Sequence, residues 1–176
     1  MQITKEFLKS LDPCIDGYKW WCEKYGESVE LSEFVKAADE EWDYVRWLSV
    51  RCLTHKSQVM FAVWCAEKVV HLAQHQEITQ AAIDAAKKWI EDPSEENRDA
   101  ADAAADAAAY AAATADAAAA DAATAAAYAA YSATAAYSAS AATNAAAAAV
   151  YADAADKEFK IEAMKYLLTL EMTKCK

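Results

Sequence analysis

A chain of 176 residues with only two glycines and two prolines has almost no turn-formers, which excludes hairpin-rich sheets and every glycine-rich phosphate loop. Hydrophobic residues make up 56% of it, enough to bury a core without disulfide or metal staples. The net charge of −11 argues against direct binding to nucleic acid or an anionic membrane and favours a basic partner.

Thr4 is placed to cap a short helix through Leu11. Asp12 and Pro13 read as the cap and first-turn pair of a second helix. Within it Cys14, Ile15, Tyr18, Trp21, Cys22 and Tyr25 recur at helical spacing as one apolar face, which Gly26 ends. Ser32 opens a short helix through Phe34 and Val35, and Asp39 caps a longer one with Trp42, Val45, Leu48 and Cys52 inward. Thr54 to Lys56 is a connector. Ser57 begins the most apolar helix, with Phe61, Cys65, Val69 and Leu72 on a stripe that Met60, Val63, Trp64 and Val70 widen. A helix apolar on most of its girth belongs at the centre of a bundle. Thr79 caps the next, with Ile83, Ala86, Trp89 and Ile90 inward.

Asp92-Pro93-Ser94 is the clearest boundary: Pro93 stops one helix and Ser94 caps another. It separates a tryptophan-rich helical half, 1–92, from 93–176, which holds acidic alanine-rich helices and a C-terminal docking helix, the two forming one compact domain. From Arg98 to Asp156, 37 of 59 residues are alanine, the best helix former. One straight helix of that length would run roughly 88 Å, so the tract has to protrude or fold back. Asp, Asn, Ser and Thr are its available turn residues, and turns are expected near Thr114–Asp121 and Ser138–Asn144, with Thr143 or Asn144 capping a last helix. That helix gathers Val150, Tyr151, Phe159, Ile161, Met164, Leu167, Leu168 and Leu170, apolar enough to dock on the first half. The expected fold is all-α: a bundle of N-terminal amphipathic helices packed on a folded-back alanine-rich region, with no sheet.

Five cysteines include no CxxC pair. Cys14 and Cys22, eight apart on one helix, lie roughly 12 Å from each other along its axis, beyond disulfide reach. Met1 to Leu11 has no signal-like apolar run, and no segment is apolar enough to span a membrane. A cytoplasmic protein with cysteines as small core residues is expected.

Glu67, His71 and His75 share a face if one helix carries them, which makes them candidate metal ligands without the HExxH pattern; histidine near a helix C-terminus is the plainer reading. Arg46 and Arg51 flank Trp47 and read as ion-pair or aromatic-stacking groups. Trp20 or Trp47 lies off the apolar stripe; partial burial is the plainer reading and contact with a partner the alternative. Threonines 114, 124, 134 and 143 are spaced wrongly for the flat stripe of an ice-binding helix.

Charge is the strongest signal. Residues 91–156 hold eleven acidic residues and one basic one, Arg98. Asp102, Asp106, Tyr110 and Thr114 are spaced by four and line one face, with Asp99 a turn earlier. One reading of these aspartates is that they stabilise the first helical turn and solubilise an alanine helix; the other is a binding face, since a solvated face ordinarily mixes signs and this one does not. The candidate partner-binding residues are Asp99, Asp102, Asp106, Tyr110, Asp116 and Asp121.

DEEWDYVRWLSVRCL, FAVWCAEKVVHLAQ, QAAIDAAKKWIED and the Asp-dotted alanine tract, in that order, resemble the immunity-protein family associated with bacterial polymorphic toxins, with relatives in phage genomes. The resemblance spans about Glu40 to Asp156, although Tyr, Ser and Thr stand after Asp121 where the family tends to carry Arg and Trp. It implies a small protein that neutralises another by binding it, with no catalytic residue and no cofactor. The expected function is a non-enzymatic inhibitor whose acidic helices contact a basic protein, a toxin or a host or defence enzyme, with no direct nucleic-acid or membrane contact and a homo-oligomer compatible. The alternatives are a phage counter-defence protein that mimics DNA charge, a structural or oligomerising helical module, and a metal enzyme at Glu67, His71 and His75.

Overall fold

The structure, a computed structural model, describes residues 1–134, 138–152 and 157–173. The first half contains β1 (Gln2–Thr4), α1 (Lys5–Ser10), α2 (Ile15–Tyr25), β2 (Ser28–Glu30), α3 (Leu31–Phe34), a 3-10 turn (Val35–Asp39), α4 (Trp42–Arg51), α5 (His55–Val69), a second 3-10 turn (Val70–Leu72) and α6 (Gln76–Glu91). The second contains α7 (Glu95–Ala113), α8 (Ala117–Tyr131), α9 (Ser138–Ala152) and α10 (Lys157–Leu167). The molecule is a helical bundle, all-α overall.

Capping chemistry sets several boundaries. The Thr4 hydroxyl accepts from Phe7 N at 3.2 Å and opens α1, and Ser94 Oγ accepts from Asn97 N at 3.3 Å and opens α7. Gly26 ends α2 at φ 68, a left-handed value that glycine adopts without strain.

α5 is central, as its all-round apolarity requires. Val59, Phe61, Ala62, Cys65, Ala66 and Val69 are fully buried, and α6, α8 and α9 pack around it. The alanine tract folds back rather than protruding: α7, α8 and α9 pack in succession, and α6 covers α7 and α8. Ala122, Ala125, Ala126, Ala129 and Ala130 of α8 and Ala142, Ala145, Ala146 and Ala149 of α9 have no exposed surface. Methyl side chains let helix axes approach to the short end of the roughly 8–10 Å range.

Polar contacts tie the halves together. Ser138 Oγ donates to Gln58 Oε1 at 2.6 Å, while Gln58 Nε2 donates to the Val50 and Leu53 carbonyls, both at 3.3 Å. Arg46 Nη1 donates to the Thr143 carbonyl at 2.7 Å, and His55 Nε2 lies 3.0 Å from the Ser132 carbonyl. The C-terminal strap bonds across the α4–α5 turn, with Thr173 N to the Cys52 carbonyl at 2.8 Å and Thr54 N to that of Glu171 at 3.1 Å.

Several expectations are corrected. A small sheet exists: β1 and β2 pair antiparallel, with Ile3 opposite Val29, because the chain returns beside its own start after Gly26. Asp12 does not cap α2 but takes a left-handed φ of 51. Cys14 is the cap, its Sγ accepting from Gly17 N at 3.4 Å. Cys14 and Ile15 therefore lie at the solvent end of the helix, Ile15 at 71% exposure, and Trp21 is the residue buried in the core. Cys52 and Cys65 are core residues, as expected, and Cys22 is half-buried; Cys175 lies outside the described residues. Asp39 ends a 3-10 turn, and α4 starts at Trp42 after Glu41. Thr54, not Ser57, caps α5. Thr79 sits inside α6, its hydroxyl donating back to the His75 carbonyl at 2.9 Å.

The tract's first turn falls where expected, at 114–116. The second precedes Ser138, and α9 runs through Thr143 and Asn144 without a break. Thr143 is satisfied inside the helix, its hydroxyl donating to the Ala139 carbonyl at 2.6 Å, so it has no capping role.

Candidate functional site

The α7–α8 hairpin fixes the acidic face. A short turn reverses the chain, so Asp102 and Asp106 of α7 come to stand beside the C-terminal end of α8. Thr134 Oγ1 donates to Asp102 Oδ1 at 2.7 Å, and the Tyr131 hydroxyl donates to Asp106 Oδ1. The second pairing pushes the Tyr131 phenol up to about 12, through the hydrogen bond first, then burial and the negative charge of Asp106 and Asp102. Around these groups lies a cleft of about 430 Å³, lined by Asp102, Asp106, Tyr128, Tyr131, Thr134, Ser140, Ala141 and Asn144. Among the described residues no lysine, arginine or histidine lines it.

The six candidate residues divide. Asp102 and Asp106 form the cleft. Asp99 lies one turn away, its Oδ1 3.5 Å from Arg98 Nη2. Tyr110 projects from α7 at 76% exposure. Asp116 is the backbone cap of α8 and makes no side-chain cap bond. Asp121 lies ten residues, roughly 15 Å, along α8 from Tyr131. Asp116 and Asp121 thus belong to the turn end of the hairpin, away from the cleft, and neither makes an ion pair among the described residues. Tyr128, Tyr131, Thr134 and Asn144 line the cleft and were not among the candidate partner-binding residues. Antiparallel register counted from the turn at 114–116 would match Asp106 with Thr124 and Asp102 with Tyr128, so the observed pairs with Tyr131 and Thr134 do not follow from residue counting.

Two alternatives lose geometric support. A charge mimic of DNA needs two carboxylate rows, and opposite Asp102 and Asp106 stand hydroxyls. The metal candidate needs one continuous helix, but α5 ends at Val69, His71 sits in a 3-10 turn and His75 precedes α6. Glu67 is engaged with Lys87 at 2.6 Å. Among the described residues no group of three His, Cys, Asp or Glu side chains is placed to hold a metal.

Trp20 and Trp47 are both half-buried beside a second cavity, of about 710 Å³, between α2, α4 and the middle of α9. Arg46 and Arg51 act as the sequence suggested: Arg46 Nη2 pairs with Asp43 at 2.9 Å, and the Arg51 guanidinium lies 4.1 Å from the Trp47 ring centroid. Asn144 lines both cavities.

Comparison with family models, with curated proteins and with solved structures finds no match to this chain. Among the described residues no helix is long and apolar enough to cross a membrane.

Proposed function

We propose that this chain is a non-enzymatic inhibitor of the immunity type, which neutralises a basic protein by covering it with the acidic face of α7 and the adjoining cleft. The observation that carries the reading is the composition of that cleft. Two carboxylates, two phenols and an amide line it, and from Asp99 to Asp156 the sequence offers no lysine or arginine to neutralise them. Carboxylate and tyrosine are the groups that accept and stack on lysine and arginine side chains. Charge of one sign also speeds encounter with the opposite sign and rejects other anions.

The test compares the full chain with a variant carrying Asp99→Asn, Asp102→Asn and Asp106→Asn. Asparagine keeps the shape, still accepts from Thr134 and Tyr131, and has nearly the helix propensity of aspartate. Proteins captured from the native host are quantified by mass spectrometry at low and high salt. A basic protein held by the wild type, weakened by salt and lost by the variant is the expected result. Surface charges are screened beyond about 8 Å at physiological ionic strength, so a capture indifferent to both salt and variant refutes the acidic-face reading. Glu23→Gln and Glu77→Gln, exposed on the first half, serve as the charge control and leave capture unchanged.

A further inference from the structure

The cavity in the tryptophan-rich half is lined by three aromatic rings, Trp20 and Tyr44 with centroids 5.5 Å apart and planes tilted by 45°, and Trp47. Gly17 makes this packing fit, since a Cβ there would lie 3.2 Å from both Cys14 Sγ and the Tyr44 ring. Two carboxylates, Asp12 and Asp43, and one guanidinium, Arg46, line the cavity. Asp12 is exposed and has no ion pair among the described residues, and the Asp43 side chain is 70% exposed. The cations nearby are already committed. Arg46, 13% exposed, spends Nε and Nη2 on Asp43 at 3.1 and 2.9 Å and Nη1 on the Thr143 carbonyl. Lys24 pairs with Glu40 at 2.5 Å and lies 5.5 Å from the Trp20 ring centroid, and Arg51 stacks on Trp47 and donates to its carbonyl at 2.9 Å, which leaves the opposite ring faces to an incoming group. The Tyr44 phenol is raised above its ordinary value by loss of water first, then by Cys14 and the carboxylates of Asp16, Glu41 and Asp43, in keeping with a negative field at this wall.

We infer that this cavity receives an arginine side chain of the basic partner, its guanidinium flat against one of these rings and its N–H groups shared between Asp12 and Asp43. Arginine suits the site better than lysine, because its planar, weakly hydrated head stacks on rings and its stem covers apolar surface. The inference rests on the proposed inhibitor reading and extends it. Asn144 borders both cavities, so one basic segment lying over α9 places one cation in each.

The experiment uses the full chain labelled with nitrogen-15 and follows its six tryptophan indole N–H signals, assigned through single Trp→Phe variants. The probe is N-acetyl-arginine methylamide, and its neutral isostere N-acetyl-citrulline methylamide is the control. Saturable shifts at Trp20, Trp21 and Trp47, absent from Trp64 and Trp89 and absent with citrulline, are expected. Asp12→Asn, which tolerates the left-handed backbone as aspartate does, should weaken the arginine probe about threefold with unchanged circular dichroism. Equal shifts with both probes, no shift at these three indoles, or full affinity in Asp12→Asn overturns the inference. The triple Asn variant of α7 should bind the probe normally. If the probe fails while that variant still loses a basic partner, the arginine site falls and the inhibitor reading stands; the converse pair of results separates them the other way.

Discussion

Replacing Ala126 by leucine tests how closely the alanine helices are packed. Ala126 has no exposed surface, nor do Ala122, Ala125, Ala129 and Ala130 around it on α8. α8 is contacted by α5, α6, α7 and α9, so a larger side chain has no open direction to take. Leucine adds three carbons, which in a vacant site would stabilise by roughly 2 kcal/mol at about 0.8 kcal/mol for each methylene. Here they have to displace neighbouring helices, and overpacking of that kind destabilises by about 1–3 kcal/mol net. For a chain of this length each kcal/mol moves the melting temperature by about 2–4 °C, so a fall of roughly 2–12 °C is expected in a thermal scan followed by circular dichroism. Ala107→Leu, on the exposed side of α7, is the control, because leucine and alanine differ little in helix propensity; its effect should stay within about 0.5 kcal/mol. Ala147 of α9 is only half-buried and should tolerate leucine better than Ala126. A melting temperature for Ala126→Leu at or above that of the wild type would refute close packing around α8.

Gln58→Leu leaves the Ser138 hydroxyl and the Val50 and Leu53 carbonyls without their buried partner, so a loss of about 1–3 kcal/mol is expected in urea unfolding. A neutral maleimide should label Cys14 in the folded protein and spare Cys52 and Cys65, which are buried; burial also pushes the Cys65 thiol up, which keeps it protonated. Peptide mapping that finds Cys52 or Cys65 labelled before unfolding would contradict the core assignment. Tyr131 gives a pH signature. Its folded phenol is raised to about 12, whereas an unfolded tyrosine ionises near about 10. The stabilisation is therefore complete below about pH 10 and is lost as pH climbs through that interval. The stability difference between wild type and Tyr131→Phe should shrink there, and a difference flat with pH would speak against the Asp106 contact.

Helix content, the cap at Ser94, the centrality of α5 and the first turn of the alanine tract were legible because each rests on local chemistry: periodicity, side-chain oxygens and proline. The sheet was not, since three-residue strands carry no usable period and pair only after Gly26 brings Glu30 opposite Gln2. The second turn was misplaced because Ser138, Thr143 and Asn144 are equally good capping residues, and only tertiary packing decides among them: Gln58 selects Ser138 as its partner. The acidic residues were visible as a row on α7, but the cleft depends on α8 register. Asp121 and Asp116 looked equivalent to Asp102 by composition and are remote from it by topology. The second cavity was legible only as two tryptophans off the stripe, since Asp12, Cys14, Tyr44 and Asn144 reach it through the left-handed turn at Asp12 and the packing of α9 on α4.

The Pro93 boundary divides the sequence by composition, yet the contacts cross it. The faces of α5, in the first half, are covered by α8 and α9 of the second, and the bonds from Gln58 to Ser138 and from Arg46 to Thr143 span it as well. An alanine side chain removes little apolar area from water, so helices built of it draw their stability from what they pack against rather than from a core of their own. Residues 1–92 without their covering would expose Val59, Phe61 and Val69, all with no exposed surface in the fold. Each half therefore lacks what the other supplies, and unfolding should be a single transition. At about 0.7 kcal/mol per residue, the 176 residues should give a calorimetric enthalpy of about 120 kcal/mol near 60 °C, equal to the van't Hoff value. Two resolved transitions, or a van't Hoff enthalpy near half the calorimetric one, would mean that the compositional boundary is also a boundary of cooperative folding. In that case the polar links between the halves would be docking contacts between two separately stable units.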